Sequence, residues 1–409
     1  MRASYIVPLA AFVASNAQAE PLTYDQALRQ AVANSPGSAS TQAGITAAAA
    51  DARAAGSLPD PRLAVGLDNF PVSGPPAFTL NRDDMTMGRV GLQQDVPNLA
   101  KRHAAQAQAS AAVVTAETTQ AVRLRQIRLG AGLAWIDLAY AEQRLGALDR
   151  LLVSLHSLPA IARTAAGSGT ARPSQTLAVD QVIAGLDDRR DALVAGVARA
   201  RAMLTRWTGV VAPTIAGSVP APDLNPTQLR AALERNPELL AAAAGVRRAE
   251  ADVDAARAEK RPDWGFELAY QRRDPRYGDM VSVGATMSLP LFARTRQNPR
   301  IAARQAAATQ AEAEREDTRR ALTGDLEAGL ADHVMHHEQW QRARNVLLRI
   351  AHQRAELETA SYSAGRAGLL DVIETKTALA DAELTTLDRE AEVARDGVRL
   401  TVTFGSDDR

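Results

Sequence analysis

The second half of this chain repeats the order of the first half. Residues 25–70 align without a gap with residues 226–271, and the alignment matches two prolines, two leucines and an arginine. A further match, at a different offset, pairs residues 166–167 with residues 364–365. A repeated sequence limits the possible folds, because each copy must form the same unit of secondary structure. We therefore predict two structural repeats.

The boundaries of these repeats follow from composition. The first repeat is expected to cover residues 20–212 and the second residues 227–405, joined by a proline-rich linker over residues 213–226. Residues 1–19 begin with a positive charge, continue with a short apolar stretch and end in a small-residue cleavage pattern. This order is typical of a secretory signal peptide, so the protein is expected to be exported.

Each repeat has the same predicted order of elements. It opens with a helix, continues with a pair of strands and a very long helix, and ends with a glycine-containing turn and a returning helix. Thr23, Thr227 and Asn298 are expected N-caps. The expected opening and long helices cover residues 23–57, 98–158, 227–260 and 299–364.

The strand pair of the second repeat has the clearest pattern. Apolar residues alternate there with small or polar ones, and this period of two is typical of strands. The residues expected on the apolar face are Trp264, Phe266, Leu268, Tyr270, Val281, Val283, Met287 and Leu289. Two interpretations remain open: a hairpin packed on a soluble core, or membrane-barrel strands whose apolar face contacts lipid. Four strands cannot close a barrel alone, so the second interpretation requires several chains.

The composition excludes several classes of protein. Lys+Arg and Asp+Glu both number 47, and this balance gives no indication of a nucleic-acid partner. The chain has no cysteine, which excludes disulfides, thiolate metal sites and lipid attachment through a thiol. Aromatic residues make up only 4% while alanine is abundant, a composition that suits closely packed helices. After the signal peptide no apolar run reaches about 18 residues, so a membrane crossing would use strands.

Several short motifs from both repeats occur together in one known family. They are Leu22-Thr23-Tyr24-Asp25-Gln26-Ala27-Leu28 with Asn34-Ser35-Pro36, then Asn236-Pro237, Leu289-Pro290-Leu291-Phe292 and Tyr362-x-x-Gly365-x-x-x-x-x-Asp371-Val372. With the duplication, their order and spacing resemble the outer-membrane efflux channels, the TolC-like outer membrane factors, over about residues 20–405. Within that family the chain looks most like channels of heavy-metal resistance-nodulation-division pumps.

The resemblance implies a mainly α fold with a small β part. In such proteins three chains each give four strands to one shared twelve-stranded β-barrel in the outer membrane. The duplicated long-helix hairpins form a trimeric periplasmic α-barrel. The implied function is passive export from the periplasm. The implied partners are a periplasmic adaptor (membrane fusion) protein, an inner-membrane pump and outer-membrane lipid, with no cofactor. Many members carry a lipidated N-terminal cysteine, so this chain is expected to depend on its barrel alone.

The resemblance also assigns a gate to the turn of the second helix hairpin. Asp371 and Glu374 are three residues apart and share one helix face. Three chains would bring six carboxylates around the axis, where like charges repel and attract cations. Tyr362 matches a latch residue of the family, but Ala367 stands where the family has a latch arginine and Arg366 is adjacent. The alternative is that both acids only favour the helix start through its dipole.

Glycine and proline mark both helix tips, which the resemblance assigns to adaptor docking. In the second repeat Gly365 permits the left-handed conformation that ends a helix, and Gly368 lies three residues later. The first-repeat tip has the breakers Gly167, Gly169 and Pro173 and lacks the acidic pair. The two tips are therefore expected to differ.

Three histidines invite a metal interpretation. His333, His336 and His337 are spaced three and four residues apart on a predicted helix and could chelate a metal. We favour a solvated helix face over a metal site. No phosphate-binding loop and no nucleophile elbow occurs, so we do not expect an enzyme. The leading alternative function is a periplasmic coiled-coil adaptor.

Overall fold

The computed structural model describes residues 21–168, 172–221 and 224–405. The expected signal peptide lies outside these residues. The described chain divides into two compact units, and each draws segments from both halves of the sequence. The first unit contains the described parts of Met1–Ser38, Arg123–Leu233 and Thr323–Arg409, and the second contains Ala39–Val122 and Glu234–Leu322. The repeat boundaries themselves stay a prediction.

The elements recur in the same order in the two halves of the chain. The strands are β1 (Pro21–Leu22), β2 (Arg62–Asp68), β3 (Met87–Val96), β4 (Thr214–Ile215), β5 (Trp264–Arg272) and β6 (Met280–Met287). The helices are α1 (Tyr24–Asn34), α2 (Pro36–Ala54), α3 (Leu99–Leu155), α4 (Leu158–Gly167), α5 (Pro173–Thr208), α6 (Pro226–Ala232), α7 (Pro237–Ala258), α8 (Gln297–Arg342), α9 (Leu348–Ser363) and α10 (Leu369–Phe404).

Capping side chains begin the opening helices. The Thr23 hydroxyl accepts from the Gln26 N–H and the Gln26 side chain accepts from the Thr23 N–H, which forms a capping box. The prediction for the second repeat was wrong. Asn225, two residues before Thr227, caps α6 with Pro226 in its first turn, because an asparagine oxygen accepts from the first free amides.

The predicted long helices are present but interrupted. The helix expected over residues 98–158 is interrupted by a turn at residues 156–157, after which α4 begins. The helix expected over residues 299–364 begins at Gln297, so Asn298 lies inside it and is not its N-cap. A π-helical turn, Ala343–Leu347, separates α8 from α9. The opening helices also break, since Pro36 and Pro237 each have an extended residue before them.

The core of the first unit is formed by the middle of α3. Trp135 and Tyr140 are buried there with leucine, isoleucine and alanine neighbours, and the Trp135 Nε1–H donates to the carbonyl oxygen of Leu22 at 2.9 Å. Leu22 belongs to β1, which pairs in parallel with β4 inside the predicted linker. By length and composition alone, Leu99–Thr164 would be apolar enough to cross a membrane, but these large side chains of α3 instead fill a core.

Candidate functional site

The four-stranded sheet of the second unit exposes one continuous apolar face. Its strand order is β2-β3-β5-β6, antiparallel throughout. Leu63 lies opposite Leu92, Leu92 opposite Leu268, and Leu268 opposite Val283. All four side chains are exposed, and Val283 reaches 81%. Directly opposed residues point to the same side of a sheet, so the apolar face crosses all four strands.

The other face of the sheet is small and polar. Ala269 is fully buried and lies opposite Gly91. An ion pair joins Arg89 to Glu267 across β3 and β5. A second pair joins Arg62 to Asp95 across β2 and β3. The sheet is therefore apolar on one face, which is exposed, and small or charged on the other. A hairpin packed on a soluble core would instead bury its apolar face.

The predicted apolar residues are exposed, and all of them except Leu289 belong to the strands that form this face. Trp264, Phe266, Leu268 and Tyr270 are all about half exposed, while Gly265 and Ala269 between them are buried. Val281, Val283 and Met287 belong to β6 and are exposed. Leu289 lies two residues beyond the end of β6, because the strand pairing stops at Met287 opposite Trp264.

Both outer strands of this sheet have one free edge among the described residues. Strand β2 pairs only with β3, and β6 pairs only with β5. Free backbone N–H and C=O groups cannot be left in hydrocarbon, where water is absent. In a membrane, an apolar sheet with two open edges therefore needs further strands that hydrogen-bond to both edges.

In the first unit, the turn between α9 and α10 is closed by a glycine. Gly365 has φ +72°, its N–H donates to the Tyr362 carbonyl at 2.9 Å, and the Arg366 N–H donates to the Ser361 carbonyl at 2.9 Å. This is a Schellman motif, in which a left-handed residue ends the helix. Helix α10 then begins after Gly368, which is extended.

The two acids lie on the first turns of α10. Asp371 Oδ2 accepts from the Gly368 N–H at 2.8 Å. Asp371 and Glu374 are exposed, whereas Val372 and Ile373 between them are buried. Ile373 joins a core cluster with leucines of α3, α4 and α5. This burial fixes the rotation of α10, so both carboxylates point away from the core.

The two proposed latch residues differ in burial. Tyr362 is half-buried in the last turn of α9. Arg366 is exposed and forms no ion pair with any residue that the structure describes. The structure therefore does not bring Arg366 onto Asp371 or Glu374 within one chain.

The first-repeat tip has a different turn. Gly167 is the last residue of α4 and has no positive φ, and the Ser168 N–H donates to the Thr164 carbonyl at 3.0 Å. Gly169 lies outside the described residues. Pro173 is the first residue of α5, a position that proline suits because its missing N–H would have no helical partner.

A groove of about 680 Å³ lies in the first unit between α3, α9 and α10. Its polar lining includes Arg150, His352 and Glu383, and Glu383 faces both basic groups, His352 Nε2 at 3.8 Å and Arg150 Nη2 at 3.9 Å. Four alanines and two leucines line it as well, together with Ser154, Glu356, Thr359, Ser363 and Lys376. The sequence interpretation missed this groove, because its residues come from three helices and no local motif marks them.

The three histidines of α8 do not converge on one point. His336 Nδ1 contacts the buried Asp396 Oδ2 at 2.7 Å. The His333 and His337 rings are 6.2 Å apart, and His337 lies against Trp340. Burial lowers the pKa of His333, with Asp396 opposing the effect and the neighbouring histidines adding to it. Among the described residues, no three potential ligands are arranged to hold a metal.

Comparison with known proteins agrees with this geometry. Residues 229–406 match the model of the outer membrane efflux protein family, and no curated protein sequence matches the chain. A membrane protein from Pseudomonas aeruginosa has a TM-score of 0.82 at 18% identity, covering 98% of this chain and 99% of that one.

Two further solved structures have the same fold. The Campylobacter jejuni CmeC outer membrane channel gives a TM-score of 0.79 at 12% identity, covering 93% of this chain and 85% of that one. The Vibrio cholerae outer membrane protein VceC gives 0.77 at 17% identity, covering 94% and 96%. At such identities the likeness concerns the fold, which combines long helices with a small sheet.

Proposed function

We propose that this chain, which carries an outer membrane efflux protein domain and has the fold of TolC-like channels, is the passive exit duct of a tripartite efflux pump. It works in the outer membrane as a homotrimer and releases small molecules or metal ions from the periplasm. An adaptor protein connects it to an inner-membrane pump, which supplies the energy and selects the substrate. The duct itself performs no chemistry.

The sheet carries this proposal. Its exposed apolar face crosses all four strands, and its two edges are open among the described residues. Contact between these apolar side chains and lipid costs no free energy, whereas their contact with water is unfavourable. Three copies supply twelve strands, which close into a barrel with no free edge. The ion-paired face then lines the aqueous interior.

The acidic gate belongs to the same proposal. Asp371 and Glu374 are exposed on one chain and point away from its core. In a trimer with α10 toward the axis, six carboxylates surround the entrance. Their mutual repulsion favours cation binding between them, which narrows the duct for other solutes.

The groove between α3, α9 and α10 supports adaptor docking near this entrance. The alanines and leucines of its lining suit the apolar stripe of a partner helix. Glu383, Arg150 and His352 at its wall offer charges of both signs for orientation. We assign this groove and the two helix tips to the adaptor.

The alternative function is a periplasmic coiled-coil adaptor. Such a protein would also contain long helix pairs. It would not need a sheet whose leucines and valines face outward on all four strands, because exposed apolar patches of that extent promote aggregation in water. The sheet therefore favours the channel.

Cell fractionation tests the proposal. The protein is expected in the outer-membrane fraction, where it runs as a heat-sensitive trimer that conducts ions in planar bilayers. Recovery as a soluble monomer without detergent would contradict a channel and favour the adaptor.

A further inference from the structure

The apolar face of the sheet continues past the end of β6. Leu289, Leu291 and Phe292 are exposed by 60%, 75% and 68%. They lie in an ordered turn, since the Leu291 N–H donates to the Leu289 carbonyl at 2.9 Å and the Arg296 N–H to the Phe292 carbonyl at 3.0 Å. This segment connects the sheet to α8, so it lies at the helix side of the apolar band.

The strands alone make a short apolar band. From Trp264 to Tyr270 a strand rises about 20 Å, and a tilt of about 45° reduces its height to about 15 Å. Lipid-facing bands of barrels are about 25 Å tall. Leu289, Leu291 and Phe292 extend the band on the helix side. Trp264 begins β5 on the same side, and tryptophan is enriched where lipid meets water.

Basic groups surround a cavity of about 540 Å³ at the same place. Leu289 and Pro290 line it together with four cations and two acids, which are Lys101, Arg261, Arg296, Arg300, Glu259 and Asp263. Both acids are already paired. Lys101 contacts Asp263, and Arg300 contacts Glu259 at 3.0 Å.

Hydrogen bonds keep Asp263 ionised and committed to its partners. Partial burial raises its pKa, but hydrogen bonds from Lys101 and Asn98 outweigh this and hold the pKa of Asp263 below its ordinary value. Arg261 and Arg296 remain exposed, and neither forms an ion pair with a residue that the structure describes. The cavity therefore has two available guanidinium groups beside an exposed apolar turn.

We propose that this collar, defined as Arg261, Arg296, Leu291 and Phe292, binds the headgroup of an anionic phospholipid in the membrane leaflet nearer the helices. The inference rests on the proposed insertion of the sheet into the outer membrane. A guanidinium forms two parallel hydrogen bonds with phosphate oxygens. The acyl chains lie against Leu291 and Phe292, where the apolar face of the sheet continues. The occupant is a lipid rather than free phosphate, because the cations adjoin apolar side chains.

Native mass spectrometry of the detergent-extracted trimer tests this. The protein is first recovered from the outer membrane and then titrated with phosphatidylglycerol, which is anionic, and with phosphatidylcholine, which is zwitterionic. We expect wild-type protein to prefer phosphatidylglycerol by about tenfold or more. The variant Arg261→Gln/Arg296→Gln is expected to lose that preference, while Leu291→Ser/Phe292→Ser retains less of both lipids.

A charge-matched control separates the collar from net charge. Arg247 and Arg248 are exposed on α7 in the same unit, so Arg247→Gln/Arg248→Gln removes the same charge and is expected to keep the preference. If the collar variants fail to assemble, wild-type protein still tests the proposal. Its preference should decrease with added salt, because exposed charges are screened.

Three results would overturn the inference. They are equal retention of phosphatidylglycerol by collar and control variants, no preference in wild-type protein at any salt concentration, and displacement of the lipid by inorganic phosphate alone. If wild-type protein is absent from the outer membrane, the proposed function fails with it. If it is a membrane trimer without lipid preference, only the collar assignment fails.

Discussion

Asp371 accepts a 2.8 Å hydrogen bond from the Gly368 N–H, while Glu374, one turn later on the same face, bonds to no described residue. The two acids of the proposed gate therefore differ in role. Asp371 satisfies a free backbone group at the start of α10 and carries a charge. Glu374 contributes charge alone. An alanine substitution at Asp371 would remove the hydrogen-bond acceptor and the charge together. An asparagine keeps the acceptor and removes only the charge.

The first prediction concerns the gate charge. Asp371→Asn/Glu374→Gln is expected to raise single-channel conductance and to weaken block by multivalent cations, because it removes six charges per trimer. Its thermal stability should remain near wild type. Asp371→Ala should lower stability by about 1 kcal/mol through the lost hydrogen bond. Bilayer recordings and thermal unfolding measure the two effects.

A control for this experiment lies on α5. Asp187 and Asp188 are exposed and consecutive, so Asp187→Asn/Asp188→Asn removes the same total charge elsewhere in the unit. Its conductance and cation block should match wild type. The gate role is rejected if the gate variant and this control behave alike.

The second prediction compares the two tip glycines. Gly365 has φ +72° and no neighbouring atom within 4 Å of an added Cβ, so Gly365→Ala meets backbone strain rather than a clash. We expect a loss of about 1–2 kcal/mol and faster amide exchange around the turn. Gly167 is helical and also has open space, so Gly167→Ala should be neutral or slightly stabilising. Equal effects at both glycines would contradict the unequal turns.

The third prediction tests the two faces of β6. Val283→Arg places a charge on the exposed apolar face and should destabilise the assembled barrel by about 2–4 kcal/mol. Ser282→Arg is the matched control, because the Ser282 hydroxyl contacts Gln271 on the polar face. The measurement is the amount of heat-sensitive trimer in the outer-membrane fraction. Normal assembly of Val283→Arg would mean that this face does not contact lipid.

The fourth prediction is a pH dependence from His333. Burial lowers its pKa from the ordinary value of 6.5, and its Nδ1 atom is buried without a hydrogen bond in the described structure. The folded state thus binds fewer protons than the unfolded state just below pH 6.5. The stability that is linked to His333 is fully present above pH 6.5 and is lost as the pH falls through the lower pKa of the folded state.

Thermal unfolding at several pH values measures this effect. The midpoint temperature of unfolding should decrease as the pH is lowered from about 7.5 to about 5. In His333→Gln this decrease should be smaller, because glutamine does not titrate. His103→Gln serves as a control on α3 in the other unit. An unchanged pH dependence in His333→Gln would assign the effect to other groups.

Local patterns predicted much of the secondary structure. The alternation from Trp264 to Tyr270 predicted a strand with one apolar face, because successive side chains of a strand point to opposite sides. Proline-free stretches predicted long helices. Helix ends were less predictable: Asn225 caps α6 in place of Thr227, since two capping residues compete and only backbone geometry selects one.

The sequence alone determined the order of the elements, the two-faced character of the strands and the helix-ending position of Gly365, because these depend on neighbouring residues. Only the tertiary structure decided that β3 pairs with β5 across the two halves of the chain, which makes one apolar face from two hairpins. It also decided that Ile373 is buried and so turns Asp371 and Glu374 outward. These features depend on residues far apart in sequence, whose contacts are set by packing and leave no local pattern.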